Sequence, residues 1–202
     1  MGLFKKDSQQ ETLTERQVLE NKYASACGNI MLVVAFTVIN IVLLLIKADS
    51  YFLFSAYVPY AIASLGALLC GMAPAEAYTG DMAMTEFLPI SFFAVCLVVA
   101  VVIIALYLIC WLLARKQKTS WITVALVLFG IDTLLMLVLA GFDTTMIMDY
   151  VFHAWVVISL IGGISAAKKL KNLPEEPKAV ETEISPETVE ETPAAIEETE
   201  KV

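Results

Sequence analysis

The chain has 202 residues, of which 59% are hydrophobic and 17% charged, and its formal net charge is −8. Soluble domains are typically about 45–50% apolar and about 25% charged, so this composition excludes an ordinary water-soluble domain. Most of the negative charge lies in residues 172–202, which contain ten glutamates and two lysines. No basic patch with interleaved aromatic residues indicates nucleic-acid binding.

Five apolar stretches approach the length of roughly 20 residues that a helix needs to cross a hydrocarbon core. They are residues 29–46, 51–72, 88–113, 121–140 and 150–167. Their apolarity is continuous, without the alternation of a barrel strand, and in lipid only helices and closed barrels satisfy every backbone group. The sequence therefore predicts an all-α integral membrane protein, a bundle of five apolar helical segments.

Composition divides the chain into three regions. Residues 1–28 are a polar N-terminal segment, residues 29–171 form the transmembrane helical domain, and residues 172–202 form a tail rich in proline, glutamate and threonine. Four prolines in the tail block any long helix, and its low hydrophobicity and high negative charge are typical of disorder. We expect a disordered acidic tail.

Basic residues in short loops indicate the orientation, because they remain on the cytoplasmic side. They follow the third and fifth segments, as Arg115, Lys116, Lys118, Lys168, Lys169 and Lys171. The connections at residues 73–87 and 141–149 contain acidic residues and no basic ones. We therefore expect a multi-pass protein of the plasma membrane with a cytoplasmic C-terminus.

The second segment leaves two arrangements open. It contains Pro59, and Tyr51 and Ser55 add polarity to its first half, which is typical of a re-entrant or interfacial element. If it crosses, the N-terminus lies outside the cell with its basic residues. If it does not, every basic residue except Lys47 faces the cytoplasm, as the positive-inside rule favours.

Four polar residues within or near the apolar segments are candidate functional residues: Asp132, His153, Asp149 and Asn40. A charge inside a span costs about 2.5–3.5 kcal/mol on insertion, which makes Asp132 a functional hypothesis by default. Asp149 and His153 are four residues apart on one helical face, where the carboxylate can orient the imidazole. If the fourth and fifth segments are mirrored about their turn, Asp132 and His153 differ in depth by roughly 7–8 Å.

Three interpretations of Asp132 remain open. It bonds to a neighbouring helix and fixes the register of the bundle, it takes part in proton or ion movement, or it takes part in catalysis. Asn40 on the first segment is a further candidate hydrogen-bonding partner.

Small residues at a spacing of four allow helices to approach closely in lipid. Two such stripes occur, on the second and fifth segments: Ala63, Ala67 and Gly71, and Ser159, Gly163 and Ala167. Packing within the bundle and contact in a homo-oligomer both remain open.

No motif indicates an enzyme. The one Gly-x-Ser, Gly163-Ile164-Ser165, lies on the same segment as His153, whereas an intramembrane serine protease needs the two on different spans. Gly130-Ile131-Asp132 supplies only one mid-membrane aspartate. None of the four cysteines forms a Cys-x-x-Cys pair, and a single histidine excludes a zinc spacing. We expect no catalytic residue, no metal ligand and no cofactor.

The sequence resembles small uncharacterised integral membrane proteins of Gram-positive bacteria. The resemblance is carried by FTVIN at residues 36–40, YFLFSA at residues 51–56 and PY at residues 59–60. It implies a bacterial plasma membrane and no functional residue.

Two functions follow from the sequence as expectations. The first is a non-enzymatic accessory, scaffold or regulatory component of a membrane assembly. Its partners are the lipid bilayer and either another membrane protein or further copies of the chain. The alternative is a small oligomeric proton- or ion-coupled transporter that uses Asp132.

Overall fold

The computed structural model describes residues 14–48, 50–79, 86–116, 118–141 and 143–174, and all regular structure in these ranges is helical. Five α-helices follow one another: α1 (Glu15–Leu45), α2 (Tyr57–Leu69), α3 (Ile90–Arg115), α4 (Ser120–Ala140) and α5 (Ile147–Asn172). Short 3-10 turns precede α5 and lie between α2 and α3. The predicted all-α fold is confirmed for these residues, and the predicted tail beyond residue 174 lies outside them.

Four helices, α1, α3, α4 and α5, are long and apolar enough to cross a membrane. The fold is therefore that of a multi-pass membrane protein. Helix α2 has only 13 residues and spans about 20 Å at the helical rise, which is shorter than a hydrocarbon core of roughly 30 Å.

Helix α1 begins earlier than the apolar pattern indicates. Thr14 accepts a hydrogen bond from the Gln17 backbone amide, and the Gln17 side chain accepts one from the Thr14 amide. This capping box starts a helix that continues through the polar stretch into the apolar one. Leu19, Ala26 and Cys27 are buried on it. Residues 15–28, predicted as part of a separate polar segment, thus belong to the bundle.

Contacts between α1, α3 and α5 determine which helix ends lie together. Asn29 donates to the Ser159 hydroxyl at 2.6 Å, and Arg16 donates to the Pro174 carbonyl at 2.9 Å, so α1 and α5 are antiparallel. The Tyr23 hydroxyl bonds the Ala114 carbonyl at 2.8 Å, near the end of α3. The start of α1 and the ends of α3 and α5 therefore share one end of the bundle, which we call the basic end. The other is the opposite end.

Helix α2 starts inside the bundle and finishes at the opposite end. Its first residue, Tyr57, contacts Asp132 in the interior of α4, and its last carbonyl, Leu69, accepts from the Leu88 amide just before α3. The chain thus enters the bundle from the opposite end after α1 and returns there through α2. We call residues 50–69 the re-entrant segment. In the structure this segment enters and leaves the bundle at the same end and does not cross it, as in the second of the two arrangements.

The stripe on α5 packs within the bundle. Gly163 lies against Ala26 of α1 and Ile122 of α4, with no room for a β-carbon, and Ala167 is buried. Ser159 accepts the hydrogen bond from Asn29. Intramolecular contacts therefore account for this stripe.

The stripe on α2 differs in part from the prediction. Ala63 and Ala67 are buried, whereas Gly71 lies beyond the end of α2 with φ of 72° and faces the Phe87 ring. A left-handed φ favours glycine, which explains Gly71 as a helix-terminating residue. A close approach of α2 to α3 occurs instead at Gly66, where an added β-carbon would lie 2.7 Å from that of Cys96.

Candidate functional site

The most buried polar cluster centres on Asp132 of α4, which is 3% exposed. Its two carboxylate oxygens accept from the first two amides of α2, Tyr57 at 2.9 Å and Val58 at 2.8 Å. The N-cap residue of α2 is Ala56, whose side chain has no acceptor. Asp132 thus caps α2 from another helix, and the positive end of the α2 dipole stabilises its negative charge.

The start of α2 suits this arrangement. A helix leaves its first four backbone amides without partners inside the helix. Asp132 takes the first two, and the third residue is Pro59, which has no amide hydrogen. Proline in the first turn therefore costs α2 no hydrogen bond.

His153 of α5 is the third partner of Asp132 and is 1% exposed. Its Nδ1 lies 2.8 Å from the Asp149 carbonyl oxygen, which can only accept, so Nδ1 carries a hydrogen. Its Nε2 lies 3.3 Å from Asp132 Oδ2. A hydrogen bond there requires a proton either on Nε2 or on the carboxyl group. The Phe129 ring, stacked 4.9 Å from the imidazole, covers the pair.

Asn40 and Thr37 of α1 hold the residues just before α2. The Asn40 side chain accepts from the Phe52 amide at 2.8 Å, and donates to the Phe52 carbonyl at 2.7 Å and to the Ser55 hydroxyl at 2.9 Å. The Thr37 hydroxyl accepts from the Ala56 amide at 2.8 Å. Together with the two bonds to Asp132, three side chains satisfy five backbone groups of the re-entrant segment. Without water, such groups each cost several kcal/mol unless they are paired.

Aromatic rings complete the attachment of the re-entrant segment. The Phe52 ring lies 5.4 Å from that of Phe36 on α1, and the Phe54 ring lies 4.4 Å from that of Phe152 on α5 in an edge-to-face geometry. Contacts with α1, α4 and α5 therefore hold residues that form no regular structure of their own.

The structure brings Asp132 and His153 closer than the mirrored turn predicted. The depth difference of 7–8 Å assumed a turn centred between the two segments. Asp132 in fact lies eight residues before the end of α4 and His153 six residues after the start of α5. Two residues of difference correspond to about 3 Å at the helical rise, which the side chains bridge.

The predicted role of Asp149 is wrong in one respect. Its main-chain carbonyl, not its carboxylate, orients the imidazole of His153. The side chain of Asp149 is 4% exposed, and its Oδ1 has no hydrogen-bond partner. Asn40 is likewise close to the site but bonds Phe52 and Ser55 instead of Asp132.

Thr37 and Ser55 are site residues that the sequence reasoning missed. Thr37 lies three residues before Asn40 in an otherwise apolar stretch, so the two polar side chains share a helical face. That pairing was the available signal. The backbone amides of Tyr57 and Val58 cannot be recognised from the sequence, because every residue except proline has a backbone amide hydrogen.

Among the residues that the structure describes, no group of three histidine, cysteine or acidic side chains can hold a metal ion. No protein-family model, curated protein or solved structure matches the chain. Function is therefore inferred from the geometry of the chain's own residues.

Proposed function

We propose that the protein is a non-enzymatic accessory, scaffold or regulatory component of a larger assembly in a bacterial plasma membrane. Its basic end and C-terminal tail face the cytoplasm. The observation that supports this proposal is that the buried side chains of Asp132, Asn40 and Thr37 bond the re-entrant segment, so their hydrogen-bonding groups are used in building the fold.

The charge distribution supports this orientation. Arg16 and Lys22 lie at the basic end together with the basic residues that follow α3 and α5. Within the described ranges, Lys47 is the only basic residue at the opposite end. Short loops with this bias are retained in the cytoplasm.

The test is purification of the tagged full-length chain from its native membrane in a mild detergent, followed by mass spectrometry. An unrelated multi-pass protein with the same tag is the control. The proposal expects a companion membrane protein at fixed stoichiometry that survives salt washing and is missing from the control. A homo-oligomer with no companion contradicts it.

Proton- or ion-coupled transport is a second candidate, favoured by the 3.3 Å approach of His153 Nε2 to Asp132 Oδ2. Chains of buried acidic and histidine side chains form proton relays in membrane transporters. In this function, a proton or ion would pass by way of Asp132 and His153.

His153→Gln separates the two functions better than Asp132→Asn. Asparagine has one acceptor oxygen where Asp132 serves two amides, so Asp132→Asn disturbs the cap of α2 as well as the contact with His153. His153→Gln removes the imidazole and leaves both bonds between Asp132 and α2 in place. The accessory function expects the variant to retain its companion, with no proton flux in wild-type vesicles. Transport expects wild-type flux and a folded variant without it.

A further inference from the structure

A cavity of about 760 Å³ lies at the basic end, between α1, α3 and α5. It is separate from the Asp132 cluster. Its charged lining residues are Arg16, Glu20, Arg115 and Lys171, and the Trp111 ring forms part of its wall.

The charged residues of the cavity are only partly paired, and Arg16 also donates to the Pro174 carbonyl. Arg16 and Glu20 form a long ion pair of 3.8 Å, and the Nε atom of Arg16 is buried with no hydrogen-bond partner. Arg115 lies over the Trp111 ring at 5.0 Å. In the described part of the chain, neither Arg115 nor Lys171 forms an ion pair with a carboxylate. Three cations and one carboxylate among the described lining residues give this part of the structure an excess of positive charge.

The cavity becomes apolar with distance from its charged rim. Ala24, Gly28 and Met31 line it on α1, and all three are exposed, so the cavity is open at the side. A β-carbon added to Gly28 would meet no atom within 4 Å. Met31 lies 15 residues along α1 from Arg16, about 22 Å at the helical rise. A cationic rim above an apolar side opening matches the shape and polarity of a phospholipid.

We propose that this cavity binds one anionic phospholipid of the cytoplasmic leaflet. Arg16, Arg115 and Lys171 contact the phosphate and the anionic headgroup, and an acyl chain lies along Gly28 and Met31. Basic pockets between helices on the cytoplasmic side recognise acidic headgroups by the same chemistry. The choice of leaflet rests on the orientation proposed above, whereas the site itself does not depend on the accessory role.

Trp111 provides a reporter inside the cavity. The test uses the full chain with Trp121→Phe and Trp155→Phe, reconstituted in vesicles of phosphatidylcholine and phosphatidylglycerol, with bromine on the acyl chains of one lipid at a time. Brominated lipid quenches tryptophan on contact. We expect brominated phosphatidylglycerol to quench Trp111 with a relative binding constant about fivefold above that of brominated phosphatidylcholine. Equal quenching by the two lipids overturns the proposal.

Two matched pairs of variants test whether the preference for phosphatidylglycerol depends on the residues that line the cavity. Arg115→Gln with Lys171→Gln should remove it, whereas Lys116→Gln with Lys168→Gln changes the same charge at the same end outside the cavity lining and should retain it. Each variant is normalised to its own fluorescence in unbrominated vesicles, because Arg115 contacts the reporter ring. Loss of the preference in both pairs means that general surface charge is responsible and overturns the site.

A second pair of variants tests the acyl chain. Gly28→Leu fills the open side of the cavity and should abolish the headgroup preference. Gly130→Leu fills open space on α4 away from the cavity and should leave the preference unchanged. Inorganic phosphate added to wild-type vesicles identifies the source of the anion. If inorganic phosphate removes the preference and Gly28→Leu does not, the cavity binds a free phosphate and the lipid proposal fails.

Discussion

Replacing Asp132 by alanine tests whether this side chain fastens the re-entrant segment. The substitution removes two hydrogen bonds from a charged acceptor to the amides of Tyr57 and Val58. Hydrogen bonds to charged groups contribute about 1.5–3 kcal/mol each, so the local free energy of opening should fall by about 3–6 kcal/mol. Every 1.4 kcal/mol is a factor of ten, so amide hydrogen exchange across the start of α2 should accelerate at least about 100-fold.

The assay is hydrogen–deuterium exchange with mass spectrometry on the reconstituted protein, with peptides covering the re-entrant segment. Thr133→Val is the matched control, because Thr133 is the next residue and its hydroxyl bonds only the Phe129 carbonyl within α4. Asp132→Asn keeps one acceptor oxygen and should lose about half as much free energy. Unchanged exchange in Asp132→Ala, or equal acceleration in Thr133→Val, would refute the capping role.

Three further substitutions test other parts of the structure. Gly66→Ala should cost about 1–3 kcal/mol in thermal unfolding, because its β-carbon overlaps α3, whereas Gly130→Ala has open space and should gain about 0.5–1 kcal/mol. Asn40→Leu leaves two backbone groups of the re-entrant segment unpaired, so hydrogen exchange should accelerate in that segment and stay unchanged in α4. Equal acceleration in both regions would contradict this role of Asn40. Hydrogen bonds from Thr145, first from its backbone amide and second from its side chain, lower the pKa of Asp143. The carboxylate therefore stabilises the fold at neutral pH, and this stabilisation is lost as the pH falls through the lowered pKa. Asp143→Ala should therefore lower the unfolding midpoint at neutral pH and match wild type in acid; a constant difference would count against the bond.

Hydropathy alone predicted the helices that are long enough to cross the membrane. The bounds of α3 and α4 differ from the predicted segments by at most two residues at either end. A long apolar run in lipid has no alternative to a helix, which is why these elements are predictable.

The start of α1 and the start of α2 needed local signals that hydropathy does not contain. The spacing of Thr14 and Gln17 is that of a capping box, which allows a helix to begin among polar residues. Pro59 fits the first turn of a helix, and so indicates that α2 begins near residue 57 instead of residue 51.

Of the groups that form the site, only the side chains could be predicted from the sequence, not the backbone amides. Asp132 is conspicuous because a charge in an apolar run is costly, and His153 because it is the only histidine. Their meeting depended on where α4 ends and α5 begins. The remaining groups of the site are backbone amides. They lack a hydrogen-bond partner within their own segment only because the chain follows an irregular path before α2.

The pairing of Asp132 with the start of α2 also constrains how the protein is made. Tyr57 precedes Asp132 by 75 residues, so the ribosome releases the re-entrant segment long before its acceptor exists. Until α4 has been inserted, the first amides of α2 need water or another partner, which favours keeping this segment at the membrane surface or within the insertion machinery. We therefore expect the entry of α2 to follow the integration of α4, which moves a part of the chain that was synthesised earlier.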